Sequence, residues 1–185
     1  MSQPEKTVAR IPFHWAVSIL VAIVLPLSFF LGKFNLPIWV CFIAWAEYFV
    51  FGAKPSAFKV IIPCWGYGTV ISAIWLATTV AFSTFMPLFW AIVVANFIWV
   101  TVLVYGLRWN GFQNGNLAVF GGFTMFLAIY FTGSIPQVGP LANPYWVVGW
   151  SCILTIFLGY LGAGFGWFNL FLTFPHKVTS RTKSG

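Results

Sequence analysis

Six apolar runs, Pro12–Gly32, Leu36–Ala53, Val60–Phe82, Pro87–Leu107, Leu117–Gly133 and Pro144–Phe174, follow one another along this chain with only short polar or turn-forming links between them. A helix of about 20 apolar residues matches the ~30 Å hydrocarbon core of a bilayer. In that medium the backbone polar groups must be satisfied within the helix itself. The expected fold is therefore all-α, a polytopic membrane protein with six transmembrane helices. Composition agrees: 6% of residues are charged, against roughly a quarter in a soluble domain. Twenty-two Phe and eleven Trp exceed what interfacial belts use, so aromatics must also fill the interior or face lipid.

The links and tails carry the charge. Under six spans Lys6, Arg10, Lys54, Lys59, Arg108, Lys177, Arg181 and Lys183 fall on one side, and Lys33 alone on the other. The positive-inside rule then predicts a membrane protein with both termini cytoplasmic. Residues 1–11 form a cytoplasmic N-terminal tail, 12–174 the six-helix domain and 175–185 a basic cytoplasmic tail. Topology accounts for the net charge of +7, and no nucleic-acid partner is expected. The first run is too long for an ordinary signal-peptide core and lacks a clear small-x-small cleavage site, so it reads as a retained helix, kinked or opened at Pro26. Cys41, Cys64 and Cys152 lie within apolar runs with no CxxC spacing, where free Cys behaves as a small hydrophobe.

The halves of the chain echo each other. Pro63-Cys64-Trp65-Gly66-Tyr67-Gly68 opens the third run and Pro144-Tyr145-Trp146-Val147-Val148-Gly149 the sixth, both reading P-x-W-x-x-G. At nearly the same offset, Ala46-Glu47-Tyr48-Phe49 in the second run matches Ala128-Ile129-Tyr130-Phe131 in the fifth, and these two runs are the shortest. Three helices repeated after an odd number of spans have opposite orientation, so two inverted three-helix repeats are expected, about 12–82 and 87–174.

The Leu36-Pro37-x-Trp39 opening, the Trp45-x-x-Tyr48-Phe49 segment, the Gly121-Gly122 pair and the Gly-rich end of the sixth run together resemble the YcdZ-like bacterial inner-membrane proteins, a domain family of unknown function. The resemblance extends over roughly residues 13–174. It implies a small multi-span protein of the bacterial inner (plasma) membrane, suspected of moving solutes, with no established substrate, and it assigns no role to Glu47.

Glu47 is one of two acidic residues, and the other, Glu5, sits in the polar tail. A carboxylate at membrane depth costs about 2.5 kcal/mol or more, which makes it a functional-site candidate by default. No Lys, Arg or His lies inside the apolar runs near it. Three readings stay open: a protonated, hydrogen-bonded structural group, a lining group of a solute path, or a side chain reaching water at the cytoplasmic interface. Asn96, near the middle of the fourth run, either glues helices or contacts solute. Tyr48, Thr124 and Tyr130 are further candidates, with Tyr67 and Ser72 of the same kind. Trp65 and Trp146 head the paired motifs, as interfacial anchors or as symmetric aromatic constrictions. The late glycines, Gly159, Gly162, Gly164 and Gly166, and the Ala118-x-x-x-Gly122 pair indicate close helix approach, or an unwound segment facing a pore.

Catalysis has little to work with. There is no paired acid, no nucleophile–base constellation, no metal-ligand cluster and no phosphate loop, so no enzyme activity, metal or cofactor is expected. The expected function is a small-solute channel or transporter, passive or proton-linked, for a small neutral or weakly cationic molecule, urea- or amide-like. The alternative is a non-transporting scaffold or anchor subunit of an enzyme complex. Small size and small-x-x-x-small pairs further lead to the expectation of a homo-oligomer in the lipid bilayer.

Overall fold

The computed structural model describes residues 7–8, 11–30, 34–173 and 176–177. Glu5, Lys6, Arg10, Lys33, Arg181 and Lys183, which enter the charge argument, lie outside the described residues. Among the described residues six α-helices carry the fold: α1 (Phe13–Phe30), α2 (Val40–Val50), α3 (Phe58–Phe82), α4 (Leu88–Gly106), α5 (Asn116–Thr132) and α6 (Pro144–Thr173). A 3₁₀ turn at Pro55–Ala57 leads into α3. Two-residue strands β1 (Thr7–Val8) and β2 (His176–Lys177) pair antiparallel, so the tails at the two ends of the chain meet.

Among the described residues three segments are long and apolar enough to cross a membrane, Pro55–Phe82, α4 and α6. The expected set of six full spans is met only in part: the apolar stretches Val40–Val50 and Asn116–Thr132 are shorter, as is the described part of α1 that enters the comparison, Phe13–Leu27. The largest departure is α2. It starts at Val40 rather than Leu36, for a local reason. Pro37 has no N–H to give and disfavours helical geometry at Leu36. Asn35 takes a left-handed φ of 53°, and a turn with Ile38 N–H donating to Leu36 O at 2.9 Å precedes the helix. Left-handed Gly52 and Ala53 (φ 93° and 54°) close the other end. Eleven residues rise about 16 Å, half a bilayer core. Pro37 and Ile38 of this irregular lead-in are buried in protein.

Helices α3 and α6 form the centre. Helix α5 packs along α3 and α2 along α6, while α4 leans on α3 and α1 on α6 from outside. Glycine sets the inner spacings. A Cβ added at Gly68 would run into the Val119 backbone, and one at Gly162 into the Cys41 backbone, so these helix pairs meet main chain to main chain. That is the close-approach reading of the sixth run, with Gly164 an exception that faces open space. The main apolar cluster joins Cys41, Tyr48, Ile61, Trp65, Ile129 and Leu158. By contrast, α4 buries only Ala91, Ala95, Leu103 and Gly106 and turns Phe89, Trp90 and Phe97 outward.

The paired P-x-W-x-x-G motifs occupy unlike environments. Trp65 is fully buried and Trp146 is 41% exposed. Gly68 carries a backbone contact, whereas nothing lies within reach of Gly149.

Candidate functional site

Packing of α2 on α6 fixes which side of α2 faces inward: Val40, Cys41, Ala44, Trp45, Glu47 and Tyr48 are buried. Most of that face is apolar, and Glu47 is carried in with it. Only 2% of Glu47 is exposed. Neither carboxyl oxygen has a hydrogen-bond partner among the described residues. Its surroundings come from two other helices. A Cβ on Gly121 of α5 would collide with Oε1 of Glu47, and the six-membered ring of Trp65 of α3 lies 2.9 Å from the same point. The carboxyl therefore fits where α2, α3 and α5 meet only because position 121 has no side chain.

Trp65 is clamped on its other edge. Its indole N–H donates to Thr155 O of α6 at 2.8 Å, and its pyrrole ring fills the space a side chain at Gly159 would take. Trp65→Phe, which removes that donor and part of the ring, is expected to lower stability by about 2 kcal/mol; thermal unfolding in detergent measures it.

An ionised carboxylate in such a setting, with no compensating donor, costs several kcal/mol. The described basic side chains nearest in sequence, Lys54 and Lys59, are exposed. The site is thus an unmet acceptor, complete only when it holds a proton or receives a donor or cation from elsewhere.

The remaining sequence candidates disperse. Tyr48 adjoins Glu47 on α2 with its ring over Gly166 and its hydroxyl buried without a partner among the described residues. Asn96 lies on the exposed face of α4. Thr124 is exposed and returns its hydroxyl to Phe120 O at 2.8 Å. Tyr130 is half-buried and stacks on Phe126. Trp146 donates to Val138 O at 2.9 Å at the start of α6. Tyr67 ties α3 to α4 through Val102 O at 2.8 Å, and Ser72 ties α3 to α5 through Phe123 O at 3.1 Å. Of the seven main candidates, only Glu47, Tyr48 and Trp65 share the interior.

Other buried polar groups are not apparent from the sequence. Asn169 is fully buried, and its side-chain N–H₂ lacks a partner among the described residues, as does Ser151 Oγ. Asn169 extends the Gly159, Gly162, Gly166 series at helical spacing, a signal hidden by attention to the glycines alone. Gly121 is the other omission: its pairing with Gly122 is visible in the sequence, its role as a cradle for Glu47 is not. Among the described residues no group of three His, Cys, Asp or Glu side chains gathers.

A family model described as "Protein of unknown function (DUF1097)" matches residues 16–169. No curated protein and no solved structure matches the chain.

Proposed function

The chain belongs to the DUF1097 family, and we propose that it is a small-solute channel or transporter, passive or proton-linked, in the bacterial inner membrane. Within the family we group it with the YcdZ-like proteins. The observation that carries the reading is the unpaired Glu47 carboxyl where α2, α3 and α5 meet. Its solute is a small neutral or weakly cationic hydrogen-bond donor of urea or amide type, because the site offers acceptors and no fixed cation.

The scaffold in this proposal has six membrane-embedded helices in two inverted repeats, with both termini cytoplasmic and assembly as a homo-oligomer. Support for the repeat comes from packing. Exchanging α1 with α4, α2 with α5 and α3 with α6 turns the α3–α5 contact into α6–α2, and α3–α4 into α6–α1, and all four contacts exist. Meeting of β1 with β2 fits an even number of crossings. The short helices α2 and α5 hold corresponding positions in the two halves, and such short paired segments point to binding sites in transporters built this way.

Proteoliposome uptake of urea, formamide, acetamide, methylamine and ammonium tests the proposal. Flux of at least one of these is expected, reduced about tenfold or more in Glu47→Gln, which keeps shape but cannot carry a proton or pair with a cation. Absence of flux for the whole panel would overturn transport. One observation favours the second reading, a non-transporting scaffold: Glu47, Tyr48 and Trp65 are all enclosed, and the other polar candidates do not line up with them.

A further inference from the structure

An open cleft of about 340 Å³ lies between the C-terminal end of α2 and the last turns of α6. Its floor is Tyr48, its walls include Trp167 and Phe171, and Lys54 and Pro55 stand at its edge. Four features converge on it. Lys54 is exposed and unpaired among the described residues. Immediately after it, the 3₁₀ turn Pro55–Ala57, whose Pro55 also lines the cleft, runs into 25-residue α3, so the N-terminal, positive end of a long helix dipole starts beside it. Lys59, exposed at the second position of α3, adds charge of the same sign. Tyr48 lines the same cleft, and its hydroxyl is buried without a partner among the described residues, although a buried hydroxyl ordinarily has one.

The walls are of the opposite character. Trp167 and Phe171 are exposed and stack with centroids 6.0 Å apart and planes 23° off parallel. Thirty residues of α6 rise about 45 Å, more than the ~30 Å hydrocarbon core, so these last turns reach headgroup depth. A cationic, donor-rich rim above an aromatic, apolar wall is amphipathic in the same sense as a phospholipid.

We infer that this cleft is a binding site for an anionic membrane phospholipid, whose phosphate sits at Lys54 and the start of α3, with the Tyr48 hydroxyl donating to the glycerol ester region and Trp167–Phe171 flanking the first part of an acyl chain. The site is independent of solute passage past Glu47, and it stands or falls without it. An inorganic phosphate would use the rim but leave the aromatic wall bare. A lipid with the same hydrocarbon and no net charge would use the wall but forgo the rim.

Native mass spectrometry of the full chain released from nanodiscs of mixed phosphatidylglycerol and phosphatidylcholine tests the assignment. Selective retention of phosphatidylglycerol is expected. Lys54→Gln should weaken it about fivefold, the effect of one basic residue near an anionic surface, and Tyr48→Phe should weaken it further. Arg108→Gln, which alters a cation elsewhere on the surface stacked over Tyr105, should leave it unchanged. Equal loss in Lys54→Gln and Arg108→Gln would mean general surface charge and overturns the site. Unchanged retention in Lys54→Gln does the same, as does displacement of the lipid by millimolar inorganic phosphate. Lys54 is exposed, so its variant reports on lipid binding even where Tyr48→Phe alters folding.

Discussion

Gly162→Leu is expected to push α2 off α6 and to lower stability by about 3 kcal/mol, read as a fall in the thermal midpoint of the detergent-solubilised protein with loss of near-ultraviolet aromatic signal. The obstacle is main chain: the atoms a Cβ at position 162 would meet are Cys41 C, O and Cα, and none of them can rotate away as a side-chain tip can. Gly68→Leu should match it, because Val119 backbone stands in the same relation to Gly68 across α3 and α5. Gly164→Leu supplies the internal comparison. It lies two residues from Gly162, in the same helix and with the same propensity gain over glycine, yet nothing lies within 4 Å of its added Cβ. It should be neutral or slightly stabilising. Comparable losses at 162 and 164 would show that glycine is needed there for helix flexibility and not for contact.

This contrast marks the boundary of what the chain discloses by itself. Helices α3, α4, α5 and α6 begin and end within about two residues of the apolar runs, because sustained hydrophobicity and flanking Pro, Gly and polar residues are local signals. Helix α2 is shorter than its run because Pro37 and left-handed Asn35 act on backbone geometry, which hydropathy does not register. Which glycine meets a neighbour is a property of two helices at once, so Gly162 and Gly164 look alike in the sequence and differ in the bundle.

The same limit applies to Trp65 and Trp146. Identical motif positions carry opposite burial, since the motif reports local chain chemistry and burial depends on which helix lies opposite. Asn96 reads as interior from its central place in a span, yet α4 is an outer helix and its polar midpoint is exposed. The rarity of charge, on the other hand, is enough to single out Glu47 as a group that needs explaining. Its enclosure by Gly121 and Trp65 emerges only from the fold.

Glu47→Met is expected to make the protein more stable by about 2 kcal/mol while abolishing any Glu47-dependent flux. Met has the same unbranched reach, fills irregular apolar gaps, and removes two polar oxygens that have no partner among the described residues. Replacing an uncompensated buried polar group by an apolar one of similar volume is neutral or stabilising, and here no hydrogen bond is given up in exchange. A stability gain coupled to a loss of function is the signature of a group kept for what it binds. The two measurements separate the competing readings. If Glu47 serves a scaffold and is held by a donor in the assembled complex, Glu47→Met lowers the thermal midpoint of that complex and Glu47→Gln, which keeps an acceptor oxygen, lowers it less. If Glu47 receives a passing solute or proton, the midpoint rises with Met and stays level with Gln, and flux falls in both.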